Sequence, residues 1–373
     1  MIHTRHQRRL RATGALAIGT ALVLGIAGCA TNDGGDGGNG GNDAGGETPS
    51  LVIASWGDPF TSATMEHLVE PFVEETGYDV QIVDAPGKYV ASLQAQAQAD
   101  NIEWDLLDST SGPDAYVAYD QGLIAKMPDD VKKRILEVLP ESAVTDFGIA
   151  WSILGYITAC NADSVEACPT NTTELFDTAS FPGARTSIST SPLVNLSMAE
   201  LASGVSIDEL STHEIDLDRA FAKLEEFQAA GGTWWSSGDQ NMQVFATNEV
   251  DMGISYSGRA YSVAKELPNL EIAWDQGLYN PGFWNVVEGS EHTAEAWEFI
   301  EWISTHPEAA ANWAVALGYS VPNPESFDFI SEDVAKTLSD YPANRELLAV
   351  MNYDWYVENA DDVNTRWQEF LRG

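Results

Sequence analysis

Trp56 and Tyr256 fall where short apolar runs end, and Trp284 follows a predicted loop, Asn280-Pro281-Gly282. Carboxylates lie near such ends too, at Asp58, Asp108 and Asp239. Ring faces attract an ammonium by about 0.5–2 kcal/mol each, and more when water is excluded. Aromatics and acids brought together could therefore capture a small cation. A Trp in a loop can equally be a packing anchor, and each Asp can cap a helix or face solvent. Ser109-Thr110-Ser111 and Ser189-Thr190-Ser191 follow two further runs, offering either hydroxyl and N–H groups to a ligand or ordinary helix caps. Trp234, Trp235 and Gln240 lie in a predicted loop entering a helix and face either a ligand or the interior. Arg259 and Arg185 stand out in an acidic chain. A guanidinium grips carboxylates or phosphonates, or pairs with one of the many acids.

The elements that must position these residues alternate. Leu51–Trp56 reads as a strand, and Thr64–Thr76 has helical spacing and is stopped by Gly77. Val80–Val83 is a second strand, Tyr89–Ala99 a second helix and Trp104–Leu107 a third strand, which predicts an α/β fold with mostly parallel strands. Ligands gather at the carboxyl ends of such strands, here around Trp56 and Ser109. Ile149–Thr158 reads as buried. Further strands are predicted at Thr186–Thr190, Val250–Ser255 and Leu270–Trp274, and helices at Asp218–Ala230, Ala294–Ser304 and Pro307–Leu317. Trp297, Trp302 and Trp313 lie within the last two helices and read as core.

Composition narrows the function. The chain carries 57 acids against 18 basic residues, a formal charge of −39, so nucleic acid is not an expected partner. The excess acid keeps an extracellular surface solvated. No Gly-x-Ser-x-Gly elbow, His-Glu-x-x-His or phosphate loop occurs. The histidines lack partners at metal-ligand spacing, so neither metal nor cofactor is expected. A carboxylate-dependent hydrolase is the alternative class, since so many acids always furnish some pair. The first residues read as an export signal: Arg5, Arg8, Arg9 and Arg11, then an apolar stretch from Ala15 to Ala27 too short to span a bilayer. Ile26-Ala27-Gly28-Cys29 resembles the lipobox of bacterial lipoproteins, which implies a signal over 1–28, an acylated Cys29 and a membrane-anchored, extracytoplasmic protein. Residues 29–50 are Gly-, Asn- and Asp-rich and read as a flexible tether. In an oxidising compartment Cys160 and Cys168 read as a local disulfide.

A series of motifs runs through the body: Trp234-Trp235-Ser236-Ser237-Gly238-Asp239-Gln240, Glu249-Val250-Asp251-Met252-Gly253, Ser257-Gly258-Arg259-Ala260, Gln276-Gly277-Leu278-Tyr279, Phe283-Trp284, His306-Pro307-Glu308-Ala309-Ala310 and Gly318-Tyr319. Together, and across Leu51 to Leu371, they resemble the spermidine/putrescine-binding family of ABC-transporter solute receptors. The resemblance implies a two-lobed periplasmic-binding fold of the second type, with residues 51–153 and 284–325 in one lobe and 154–283 and 326–373 in the other. It also implies a small-molecule ligand in the cleft, an ABC permease as partner and a monomeric receptor. Ligand contacts are then expected from Trp56, Asp58, Ser109, Thr110, Ser191, Trp235, Gln240, Tyr256 and Trp284. One departure matters. Val286 stands where polyamine receptors carry a carboxylate, and no acid occurs between Ser187 and Ala199. An unpaired buried ammonium is costly, so the ligand is expected to differ from a classical polyamine: a smaller amine, a quaternary ammonium compound, an amino acid derivative or an organic anion.

Overall fold

The computed structural model describes residues 49–373. The export segment, Cys29 and all but the end of the tether lie outside them. Ser50, read as tether, is already the first residue of a strand. Among the described residues nine strands form: β1 (Ser50–Ser55), β2 (Asp79–Asp84), β3 (Leu106–Ser111), β4 (Ile149–Asn161), β5 (Arg185–Ile188), β6 (Gly232–Trp235), β7 (Met252–Tyr256), β8 (Leu270–Val286) and β9 (Leu348–Val350). Their order is β2-β1-β3-β8-β4-β7-β5-β6, with β9 also on β8.

The same arrangement occurs twice. β1 pairs in parallel with β2 and β3, and β5 pairs in parallel with β6 and β7. Between these two parallel sets lie β4 and β8, antiparallel to each other and 13 and 17 residues long. One core gathers Ile53, Trp151 and Trp284 with Phe299 and Trp313 from the helices Thr293–Thr305 and Pro307–Leu317. A second gathers Leu196, Phe227, Trp235 and Trp367 around the helices Pro192–Ala202, Leu217–Ala229 and Tyr353–Arg372. The result is two α/β lobes joined by two long strands, as expected.

Where the strands differ from expectation, tertiary contacts explain the difference. β3 continues past Leu107 to Ser111 because β8 supplies a partner, with a bulge between Leu107 and Thr110. Trp234 and Trp235 are strand, not loop, since β6 pairs along β5. Asn280-Pro281-Gly282, which reads as a loop, lies inside β8. Proline brings no N–H to a ladder. Here Leu154 faces Asn280 and Trp151 faces Gly282, so Pro281 falls opposite the bulge at Ser152-Ile153, where no ladder bond requires it.

The Cys160–Cys168 disulfide is present, with a sequence separation of 8. Loop-closure entropy for so short a ring is worth about 2–3 kcal/mol. The double variant Cys160→Ala/Cys168→Ala should lose about that much in urea unfolding at unchanged slope. An unaltered midpoint would mean the loop is held by packing alone.

Candidate ligand-binding site

A cavity of about 680 Å³ opens where β3, β4 and β8 meet between the lobes. Its floor is built from two bulges. Ser109 on β3 and Ser152 on β4 both adopt left-handed backbone, with φ of 56° and 41°, and both line the cavity. Non-glycine residues hold such conformations only where their surroundings over-determine them, at about 1–3 kcal/mol each. Gly282 of β8 passes between them. A Cβ there would lie 2.2 Å from Ser152 Oγ and 3.2 Å from Ser109 Cα.

What fixes Ser109 is Asp108, fully buried beneath it. The hydroxyls of Ser55 and Thr64 donate to one carboxylate oxygen at 2.8 and 3.0 Å, and that of Ser109 donates to the other at 2.6 Å. Trp313 Nε1 donates to Thr64 Oγ1 at 3.1 Å, and the Tyr89 hydroxyl donates to the carbonyls of Asp108 and Ala54. The Ser109 carbonyl in turn accepts from Trp56 Nε1 at 2.9 Å, setting that indole on the cavity wall. Burial pushes the Asp108 carboxyl up to about 6, against the downward pull of its three hydroxyl donors.

The facing wall comes from the other lobe. Tyr256, at the end of β7, lies with its ring 4.9 Å from Trp235 and 5.1 Å from Tyr156. Arg259 follows on the helix Ser257–Ala264 and lines the cavity with Phe60, Leu154 and Tyr319. Its room is provided by Gly238, where a Cβ would meet Arg259 Nε at 2.9 Å. Arg259 has one ion-pair partner among the described residues, Asp239 at 3.8 Å, and that carboxylate is 87% exposed. Four helices begin at the cavity: Gly112–Asp120 after Ser111, Pro192–Ala202 after Ser191, Gly238–Ala246 after Ser236-Ser237, and Ser257–Ala264 after Tyr256. Their positive ends face inward, an arrangement that favours an anionic group. Of all the lining residues Arg259 is the sole cation and Asp114 the sole acid.

Among the residues expected to touch a ligand, Trp56, Ser109, Ser191 and Tyr256 line the cavity. The others do not. Asp58 is exposed and accepts from Ser62 N and Oγ, in the first turn of the helix Phe60–Thr64. Thr110 points away from the cavity by strand alternation and is wholly buried. Trp235 stands behind Tyr256, its Nε1 donating to the Ile254 carbonyl at 3.1 Å. Gln240 is exposed, its Oε1 accepting from Ser236 N at 2.8 Å. Trp284 is wholly buried against Phe299, at 5.3 Å between rings. Among the described residues Arg185 forms no ion pair with an acid. It is buried and donates to the carbonyls of Leu175, Phe181 and Gly183. Asp114, Ser152, Tyr319 and Tyr356 are additional lining residues. Ser152 was hidden within an apolar run, and Asp114 reads in sequence as an ordinary helix-start acid.

The raised Asp108 carboxyl makes a pH prediction. A carboxyl lifted in the folded state adds stability below the ordinary carboxylate range and loses it as pH rises through about 6. Relative to the wild type, Asp108→Asn should therefore gain up to about 3 kcal/mol between pH 4 and pH 8. Parallel stability curves for the two proteins would show that the buried carboxyl does not titrate in this range.

Comparison with known proteins agrees with this geometry. Residues 67–346 match the family described as bacterial extracellular solute-binding protein. The gamma-aminobutyric acid-binding protein of Pseudomonas aeruginosa is 25% identical over 325 residues, 86% of this chain and 90% of that protein. A solved structure described as a GABA receptor is 32% identical, covers 86% of this chain and 97% of its own, and superposes with a TM-score of 0.77. The spermidine/putrescine substrate-binding protein of Streptococcus pneumoniae shares the fold at a TM-score of 0.68 and 18% identity, with 87% and 99% covered. The likeness to polyamine receptors is thus one of fold. The chain belongs to the bacterial extracellular solute-binding protein family.

Proposed function

We propose that this protein captures a small carboxylate-bearing amine of the γ-aminobutyrate type in the interlobe cleft and hands it to an ABC permease. The observation that carries the reading is Arg259. A guanidinium standing in a cavity of hydroxyls and rings, with only a solvent-exposed acid 3.8 Å away, is poised for a carboxylate. The inward helix N-termini add to that preference, and two relatives described as binders of γ-aminobutyrate support it. Trp56, Tyr256 and Tyr319 supply the rings around the rest of the ligand.

The lobes are taken as 51–153 with 284–325 and 154–283 with 326–373, with one adjustment. Ile330, Ala335 and Leu338 pack into the first core, so the return to the second lobe falls later than residue 326. Closure of the lobes excludes water from the ligand, and opening on the permease releases it. The lipobox-like Ile26-Ala27-Gly28-Cys29 supports an acylated anchor that keeps the receptor at the membrane.

A polyamine is disfavoured because two ammonium groups would face one lining acid and one lining cation. A carboxylate-pair hydrolase is disfavoured because such chemistry needs two acids about 5–10 Å apart, and Asp114 stands alone.

Calorimetric titration tests the reading with two ligands of one carbon skeleton. γ-Aminobutyrate should bind at least ~100-fold more tightly than putrescine, in which an amine replaces the carboxylate, and Arg259→Gln should weaken γ-aminobutyrate by roughly 100-fold. Tighter binding of putrescine, or an Arg259→Gln variant with undiminished affinity, would sink it.

A further inference from the structure

We infer that Asp114 is the ammonium acceptor of the cleft and the residue that makes the receptor specific for a zwitterion. This rests on the reading that a carboxylate docks at Arg259. Asp114 is the third residue of the helix Gly112–Asp120, whose first turn is capped by Ser111 Oγ, accepting from Asp114 N at 3.3 Å. An acid at this position commonly folds back to the N–H of the cap residue. That role is not taken here. Ser111 is a residue of β3, paired with Gly282, and no hydrogen bond runs from its N–H to Asp114. Among the described residues, no Lys, Arg or His forms an ion pair with Asp114. Yet the residue is half-buried, and burial pushes its carboxyl upward against a partial pull from the Ser111 hydroxyl. A carboxylate that lines the cavity and pairs with no cation among the described residues is complementary to one brought by a ligand.

Its wall is held rigidly. Tyr116, on the same helix, stacks on Tyr353 at 5.1 Å and 25°. Gly112 lies so close to that ring that a Cβ would be 2.6 Å from it. These contacts fasten the Asp114 helix to the helix Tyr353–Arg372, which contributes Tyr356 to the same cavity. Arg259 belongs to a different helix and shares its own surroundings with Phe60 and Tyr319. The cleft thus has a positive and a negative pole on separate helices. In a chain with 57 acidic residues, the charges lining it cancel, and a ligand of zero net charge with two opposite ends matches both.

The purified protein and Asp114→Asn are titrated with γ-aminobutyrate, butyrate and succinate. The wild type should prefer γ-aminobutyrate to butyrate by ~30-fold or more and should reject succinate, whose second carboxylate meets Asp114. Asp114→Asn should lose roughly that ~30-fold for γ-aminobutyrate while butyrate changes by less than about threefold. Asp114→Glu, which keeps the charge, should recover part of the loss and guards against a folding defect in the first variant. Equal weakening of γ-aminobutyrate and butyrate would assign Asp114 a structural role and overturn the proposal. So would γ-aminobutyrate affinity that survives the substitution. Either result leaves the carboxylate reading standing if Arg259→Gln still abolishes butyrate binding. A wild type that binds no carboxylate overturns both.

Discussion

The cleft depends on one buried carboxylate. Asp108 draws together β1 through Ser55, the helix Phe60–Thr64 through Thr64, the helix Pro307–Leu317 through Trp313, and β3 through its own backbone. Each hydroxyl would pay a desolvation cost if left unpaired in this interior. Gathered on a single acceptor, they satisfy one another. Because Ser109 is one of the donors, the same cluster sets the left-handed turn of β3 and, through the Ser109 carbonyl, the position of Trp56. Core packing and ligand wall are thereby one construction on this side of the cleft.

The opposite side is assembled by layering. Trp235 is anchored on the Ile254 carbonyl and braces Tyr256, which presents its ring to the cavity. Arg259 depends on an absence, the missing side chain of Gly238. Two bulges, on β3 opposite Trp284 and on β4 opposite Pro281, complete the floor. None of these devices is local in sequence; each needs two or three strands in register before it exists.

That explains what could be read from the chain and what could not. Trp56 and Tyr256 were legible because they end apolar runs, and strand ends in an α/β fold face the ligand side. The two-lobed α/β architecture followed from strand and helix alternation together with the motif series. Trp284 was misplaced because Pro281 and Gly282 punctuate a local reading as a loop, whereas the ladder to β4 carries the strand through them. Thr110 lies between Ser109 and Ser111, which line the cavity, and strand alternation turns its side chain to the other face. Asp114 and Ser152 carried no distinguishing signal at all. Only their placement beside Tyr356 and Gly282 sets them apart.

The sheet also constrains how the protein comes to be made. β3, complete by Ser111, finds its antiparallel partner only in β8, at Gly282–Val286, and the first core closes only with the helices beyond that. A chain emerging N-terminus first therefore cannot finish its first lobe until most of the second has followed. Such long-range closure folds slowly. For a member of a family that works outside the cell, that order has a use: the early strands of the first lobe stay unpaired while the rest of the chain is still being made.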